Sequence, residues 1–488
     1  MSTATALTPP VAAVSTPVAA PARRWLGLSA IIGATLMNML DTNVVNVALP
    51  MIRRDLGGSY ATMQWTAAAY TLVLAVGLLT GGRLGDLFGR RRMFLGGTVG
   101  FVLASVACSL AASPEALIGG RVAQAAAAAV MVPQCLGMIR DLFPDTADQP
   151  RAWAAFGATL GIASILGPIV AGLLITVDLL GTGWRSIFWI NVPLGLFALI
   201  GGIAALPRRG GDRTGGLDLL SVVLAGAGVG LLIYPLMQGR EHGWPAWSLI
   251  MPVIGIAVLG IFVAQQRLRT AAGRTPLVRL GVFGRRSYSA GVLFETVFFI
   301  GIIGFSLGLG LMLQLGFGYS PIGASIAMAA WALGSFFGSA LGAEAPKLGR
   351  KVLHLGVGIM TAGLSGLYAV LHLAGTGLNA WELAGPLLVV GFGMGMVFVP
   401  MFSIIIGEIE DDEVGSASGL LESVQQLAGA LGVAVLGTVF FNRFTHLGGT
   451  LRGNALIGME HVTLVGIGLG ITAFCLAFLL PHAPREAH

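Results

Sequence analysis

Gly82-Arg-Leu-Gly-Asp-Leu-Phe-Gly-Arg-Arg91 is a charged, glycine-punctuated stretch set between two long apolar runs. Met63 to Gly81 before it and Met93 to Ala112 after it carry no acidic or basic side chain. At about 1.5 Å of rise per residue, a helix of about twenty residues crosses the roughly 30 Å of hydrocarbon in a bilayer. The stretch therefore reads as a short loop at a membrane surface between two spanning helices. Its glycines at 82, 85 and 89 permit a tight turn and close helix contact. Asp86 stands between Arg83 and Arg90, a carboxylate held among cations. On charge alone, the same stretch also fits a basic loop that does no more than set topology.

Outward from that loop, the composition excludes a soluble protein. Of 488 residues, 55% are hydrophobic and only 10% are charged, whereas soluble domains carry about 25% charge. The reading is an all-α polytopic membrane protein with about 14 transmembrane helices. The net charge of +6 comes from arginines scattered over short loops and forms no stripe or tail, so nucleic acid is not an expected partner and the lipid bilayer is. Cys108, Cys135 and Cys475 lie far apart in apolar segments and suggest neither a disulfide framework nor a metal site.

An even number of spans puts both termini on one side, and most loop arginines lie on that side. The positive-inside rule then makes both termini cytoplasmic, in a bacterial inner membrane. Residues 1–24, rich in Ala, Pro, Ser and Thr, read as a disordered cytoplasmic tail, with a second short tail at 482–488. The stretch Gly342-Ala-Glu-Ala-Pro-Lys-Leu-Gly-Arg-Lys351 repeats the outer glycine spacing of 82–91, with Ala345 where Gly85 and Pro346 where Asp86 stand. Such a repeat implies two parallel halves of six helices facing across a central cavity. The expected division is a six-helix bundle at 25–206, two inserted helices at 207–270 and a second six-helix bundle at 271–481.

Polar residues inside spans mark candidate sites. Asn38, Asp41, Thr42 and Asn46 share one helical face of the first span, and the cost of burying a charge there makes Asp41 a candidate proton carrier. Interfacial solvation of Asp41, close to the helix-ending Pro50, is the alternative. Arg121 and Gln124 fall within the fourth span, where a guanidinium needs a partner in the protein interior unless it sits near the outer end. Gly161, Gly167, Pro168 and Gly172 thin and kink the fifth span. In the ninth, Glu295 sits beside Phe294, Phe298 and Phe299, a carboxylate and aromatic faces suited to a lipophilic cation. Glu422 forms a polar face with Ser418, Gln425 and Gln426 in the thirteenth. A structural ion pair or interfacial solvation is the alternative for Glu295 and for Glu422. Trp65, Tyr70 and Trp331 are either path-lining or interfacial anchors.

The spacing Gly-x-x-x-Asp-x-x-Gly-Arg-Arg at 82–91 resembles the signature loop of the major facilitator superfamily of secondary transporters. The resemblance implies a major facilitator fold of 6+2+6 helices, in which Gly82, Asp86, Gly89, Arg90 and Arg91 form a conformational latch between the halves. Leu40 to Pro50 resembles the first-helix motif of the fourteen-helix drug:proton antiporter family within it. Leu117 to Ala125 resembles the fourth-helix motif, whose arginine is implicated in proton transfer; Ala125 replaces a usual glycine. Gly161 to Gly172 is similar to the exporter motif, with Ala171 a departure. Glu422 resembles the acidic position of cationic-drug exporters. Trp184 to Gly195, Pro276 to Arg286 and Gly415 to Val439 extend the resemblance over most of the chain.

What the resemblance implies is a monomeric proton-coupled antiporter that exports amphipathic or cationic small molecules, driven by the proton gradient without a cofactor. Asp41, Arg121 and Glu422 would couple protons; Glu295, Phe298, Gln425 and Gln426 would bind substrate. A dedicated exporter of one endogenous metabolite or antibiotic is the alternative, and an importer is disfavoured by the fifth-span motif. An enzyme is not expected: the histidines show no ligand or triad spacing, and no Gly-x-x-x-x-Gly-Lys loop is present.

Overall fold

Apolar runs of this length satisfy their backbone in hydrocarbon by bonding within a helix, and helices are the only regular elements among the described residues. The computed structural model describes residues 21–481 apart from 144–147, 179–180, 209–217, 240, 275, 344–348, 408, 410–413 and 447–448. Residues 1–20, the tail at 482–488 and Pro346 lie outside the described residues. The long helices are α1 (Pro21–Leu56), α2 (Tyr60–Phe88), α3 (Arg90–Ser109), α4 (Pro114–Leu142), α5 (Gln149–Val177), α6 (Asn191–Ala205) and α7 (Leu219–Gln238). They continue with α8 (Ala246–Ala271), α9 (Arg286–Leu311), α10 (Pro321–Ala343), α11 (Lys351–Ala374), α12 (Ala384–Ile406), α13 (Val414–His446) and α14 (Leu451–Ala477).

Thirteen helices are long and apolar enough to cross a membrane, and α5, at 29 residues, stands between the fourth and sixth of the series. The about fourteen expected spans are therefore present. α1 begins at Pro21, so Arg23 and Arg24 lie in its first turns, inside the stretch read as tail. The stretch at 82–91 is also less of a loop than expected. α2 stays helical through Phe88, Gly89 alone breaks the path with φ 93°, and α3 starts at Arg90. The continuation is possible because Gly85 lets α2 lie directly on α4: a Cβ there would sit 1.9 Å from Gln134 Oε1. Gln134 Nε2 in turn donates to Gly81 O at 2.8 Å.

Packing divides the helices into six, two and six. In the first bundle α1 packs on α5 and α6, while α2 and α3 pack on α4. In the second, α12 packs on α10 and α11, and α9 packs on α13 and α14. The bundles meet where α2 faces α13 and α5 faces α10, so the second helix of each bundle lies against the fifth of the other. The inserted α7–α8 hairpin sits outside this seam, α7 touching both α2 and α13. α8 turns Leu249, Val253, Ile256 and Ile261 outward, as a helix facing lipid does.

The seam is closed at the end of the molecule remote from α1's start, here termed the far end; the other is the tail end. Gln64 Nε2 donates to Val433 O at 3.0 Å, and the Tyr60 ring packs on Phe441 and Phe444 with centroids 4.4 and 5.8 Å apart. Gly172 brings α5 onto α10, where a Cβ would lie 2.6 Å from Ile322 Cα. The hairpin reinforces this end, since Glu241 Oε1 accepts from Ala61 N at 2.9 Å and Thr438 Oγ1 donates to Leu236 O at 2.8 Å. Its tail end is clasped by Asp218, Ser221, Gln265 and Gln266, with Arg269 3.0 Å from Asp218.

Candidate functional site

The polar face of the first span is turned inward. Asp41 and Arg121 are each 1% exposed, and Arg121 Nη1 lies 2.5 Å from Asp41 Oδ2. A buried guanidinium needs acceptors for its fixed fork of donors. Arg121 also donates to Gln124 Oε1 at 2.6 Å and to Thr66 O at 3.4 Å, with Tyr70 beneath its plane at 4.1 Å. Tyr70 Oη donates to Asn38 Oδ1 at 2.6 Å. The other Asp41 oxygen accepts from Gln124 Nε2 at 2.7 Å and Asn191 Nδ2 at 2.8 Å. Ser105 Oγ completes the knot, 2.8 Å from Gln124 Nε2 and 3.2 Å from Asn191 Nδ2. Five helices, α1 to α4 and α6, thus converge on one carboxylate. Thr42 and Asn46, on the same face, turn instead to backbone carbonyls of α1.

Helical spacing placed Asp41, Arg121 and Gln124 in the interior, and the structure brings all three together. Ser105 and Asn191 were not singled out. Each is a small polar residue in an apolar span, and of the two only Asn191 falls in a stretch, Trp184–Gly195, that the family resemblance covers. Tyr70 is neither a surface anchor nor open to a path: it is fully buried below Arg121. Trp331 is likewise inside the second bundle, edge-on to Phe305 at 5.5 Å.

The second bundle has a different centre. Glu295 is 0% exposed, and neither of its carboxylate oxygens has a hydrogen-bond partner among the described residues. Phe298, three residues on, is buried as well, its ring stacked on Phe294 at 5.9 Å and edge-on to Phe299 at 5.6 Å. On α13, which packs against α9, Glu422 is half-buried, and its Oε1 accepts from Gln426 Nε2 at 3.1 Å. Gln425 is half-buried on the same helix. Sequence spacing gives each helix its polar face but not the complete burial of Glu295.

At the tail end, Arg90 lies 3.6 Å from Asp86 and 3.8 Å from Asp141 of α4, against Gly137, where a Cβ would meet Arg90 Nη1 at 2.5 Å. Arg91 donates to Ile203 O of α6 at 2.8 Å. These contacts tie Asp86, Arg90 and Arg91 to their own bundle, and among the described residues nothing stands within 4 Å of a Cβ at Gly82. In α5, Gly167 faces Asn43 of α1 and Gly172 faces α10. The side-chain surroundings of Gly161 and Pro168 lie outside the described residues. Among the described residues no group of three or more His, Cys, Asp or Glu is arranged to hold a metal ion.

Comparison with known proteins follows the same lines. The model of the Major Facilitator Superfamily matches residues 31–433. The probable actinorhodin transporter of Streptomyces coelicolor is 44% identical over 422 residues, 86% of this chain and 73% of that one. The puromycin resistance protein pur8 of Streptomyces alboniger is 34% identical over 421 residues, 86% of this chain and 82% of that one. Among solved structures, an auto-inhibited peptide transporter of the POT family superposes with a TM-score of 0.65 over 96% of this chain and 99% of that one, at 15% identity.

Proposed function

The chain belongs to the Major Facilitator Superfamily, a multi-pass membrane transporter of small molecules, and from that premise we propose that it is a proton-coupled antiporter exporting amphipathic or cationic compounds by alternating access. What carries the reading is the placement of acidic side chains within the spans: Asp41 locked to Arg121 in one bundle, and Glu295 and Glu422 on the packed helices α9 and α13 in the other. Intramembrane carboxylates are costly and mark proton or cation paths. In this reading Asp41, Arg121 and Glu422 couple protons, and Glu295, Phe298, Gln425 and Gln426 meet the substrate. Gly167 and Gly172 thin α5 where it slides on α1 and α10, and Asp86 with Arg90 and Arg91 steadies the tail end during the swing. The termini face the cytoplasm of a bacterial inner membrane, the far end is the closed outer gate, and the monomer works without a cofactor. Each proton moved inward yields about 2.3 kcal/mol per 100 mV, so one or two suffice to concentrate a substrate outside.

A second reading has its own support. The two relatives above are named for one antibiotic each, actinorhodin and puromycin, which favours a dedicated exporter of a single self-made compound. Everted membrane vesicles test both. Gradient-dependent uptake of a fluorescent lipophilic cation, lost in Asp41→Asn and Glu422→Gln, sustains the antiporter. A native chain that moves no cation under a verified gradient removes the cationic substrate and leaves the dedicated exporter.

A further inference from the structure

One atom of the Asp41 knot has no partner. Asn191 is fully buried, and its Nδ2 donates to Asp41 Oδ1 at 2.8 Å and reaches Ser105 Oγ at 3.2 Å. Its Oδ1, by contrast, accepts no hydrogen bond among the described residues. A buried acceptor without a donor has given up its hydration for nothing, and such an atom in a folded chain calls for an explanation. The ionised carboxylate accounts for the way the amide now faces. Both neighbours of Asp41 Oδ1, Gln124 Nε2 at 2.7 Å and Asn191 Nδ2, are donors, and Arg121 covers the other oxygen. A carboxylic acid at Oδ1 instead carries a hydrogen that needs an acceptor. Gln124 cannot supply one by turning over: its Oε1 accepts from Arg121 Nη1 at 2.6 Å, and reversal would set its NH2 against the guanidinium. Ser105 gives its own hydrogen to Phe101 O at 2.9 Å and already receives both amides. Asn191 has no such tie at its oxygen, and a half-turn about its Cβ–Cγ bond presents Oδ1 to Asp41 in place of Nδ2. The titratable groups around the carboxylate are Arg121 on α4, Tyr70 on α2 below it, and Cys108 on α3, against Gly120. On α1 itself Arg53, Arg54 and Asp55 lie at the helix end. α6 has none from Asn191 to Ala205, and that of α5, Arg151, is in its first turn. Across the seam α10 has none, and Glu295 of α9 lies inside the other bundle.

Deepening the proton-coupled reading above, on which it rests, we infer that Asn191 is the positioning residue for the proton-bearing form of Asp41: its amide turns over when Oδ1 is protonated and turns back when the proton leaves. The step balances. An O–H bond forms at Asp41 Oδ1, no other covalent bond changes, and the neutral pair of Asp41 and Arg121 gains the positive charge of the proton. An N–H···O contact is exchanged for an O–H···O contact, so the acid stays in place with Arg121 still on Oδ2. The turn also withdraws Nδ2 from Ser105 Oγ, which keeps its contact with Gln124. Proton uptake thereby loosens the link between α6 and α3 inside the first bundle, and proton release restores it.

The test reads the hydrogen bonding of the acid itself. Infrared difference spectra of the purified full-length chain are recorded between high and low pH, and the acid carbonyl band of Asp41 is identified by its loss in Asp41→Asn. In the native chain the band should lie at the lowered frequency of an acid that donates a hydrogen bond. Asn191→Leu, of similar volume and without an acceptor, should shift it upward. Asn191→Gln, whose longer stem still presents either end of an amide, should bring it back. Ser105→Ala takes an acceptor from both amides without touching Asp41 and should leave the band in place, which separates the part of Asn191 from a general slackening of the knot. Isotope labelling of the asparagine side-chain carbonyls gives a readout without any change at residue 191: a labelled band should move down as pH falls in the native chain, and should stay in Asp41→Asn. An Asp41 band unmoved in Asn191→Leu, or asparagine carbonyls indifferent to the protonation of Asp41, overturns the inference and leaves the antiporter reading intact. Absence of an Asp41 acid band at every pH overturns it too. The antiporter reading fails separately, if gradient-driven export survives both Asp41→Asn and Glu422→Gln.

Discussion

Asp41 and Glu295 are both acidic, both at most 1% exposed and both on the inner face of the first helix of their bundle, yet their surroundings are opposites. Asp41 accepts from a guanidinium and two side-chain amides contributed by α4 and α6. Glu295 accepts from nothing among the described residues. Burial alone therefore does not assign a role; the count of donors does. A carboxylate with its charge answered in place can exchange a proton only when the donors around it part, whereas one without donors is open to a proton or a cation as it stands.

The largest expected effect comes from breaking the answered side. Arg121→Ala leaves Asp41 buried and uncompensated, which costs about 3–5 kcal/mol when one partner of a buried pair is removed. Thermal unfolding in detergent should show a large drop for Arg121→Ala and a smaller one for Asp41→Asn paired with Arg121→Gln. Equal drops would mean the pair is not a coupled unit.

On the unanswered side the expected change in stability has a different sign. Replacing a buried group that lacks partners by an apolar one of similar shape is nearly neutral or stabilising, so Glu295→Met should unfold at or above the native temperature while export of a cation is lost. A drop of more than about 1 kcal/mol would show that Glu295 has a structural partner after all.

The same contrast explains what the sequence could tell. Long charge-free runs such as 63–81 and 93–112 announce helices whatever their neighbours are, because hydrocarbon permits little else. Arg121 inside an apolar run demanded a partner, and Asp41 was the acid on the inward face of another span, so the knot's core was readable. Its completion was not: Ser105 and Asn191 look like ordinary small polar residues until α3 and α6 bring them to one point. How deep Glu295 and Glu422 come to lie was hidden for a related reason. Helical periodicity gives the face of each helix, but depth and register come from how α9 and α13 pack. The helical course of 82–88 was also unreadable, since three glycines suggest a turn and only the contact of Gly85 with Gln134 shows why the helix continues.

Between the two bundles, Gly172 offers a smaller perturbation. Gly172→Val would drive a branched side chain into the backbone of Pro321 and Ile322, an overpacking that costs about 1–3 kcal/mol. The far-end closure should loosen, and alkylation of Gln64→Cys in a cysteine-free background should quicken in the double variant. Unchanged labelling would mean that the α2–α13 contacts alone hold the gate.

The smallest effect tests the comparison at the water's edge. Asp218, at the start of α7, resembles Asp41 in being surrounded by donors, but it lies outside the spans. Burial pushes its carboxyl up, yet hydrogen bonds from Ser221 and Gln265 and the charge of Arg269 outweigh burial and hold it below the usual carboxylate range. A group depressed in the folded state contributes stability that is present above its unfolded value, about 3.9, and is lost as pH falls through the folded one. Asp218→Asn should therefore lower the unfolding temperature modestly near pH 7, by about 1 kcal/mol for hydrogen bonds lost, and the gap to native should narrow as pH falls below about 4. A gap that stays constant down to pH 3 would mean that the amide serves the clasp as the carboxylate does, and that donors answer charge differently at the surface from the way they do around Asp41.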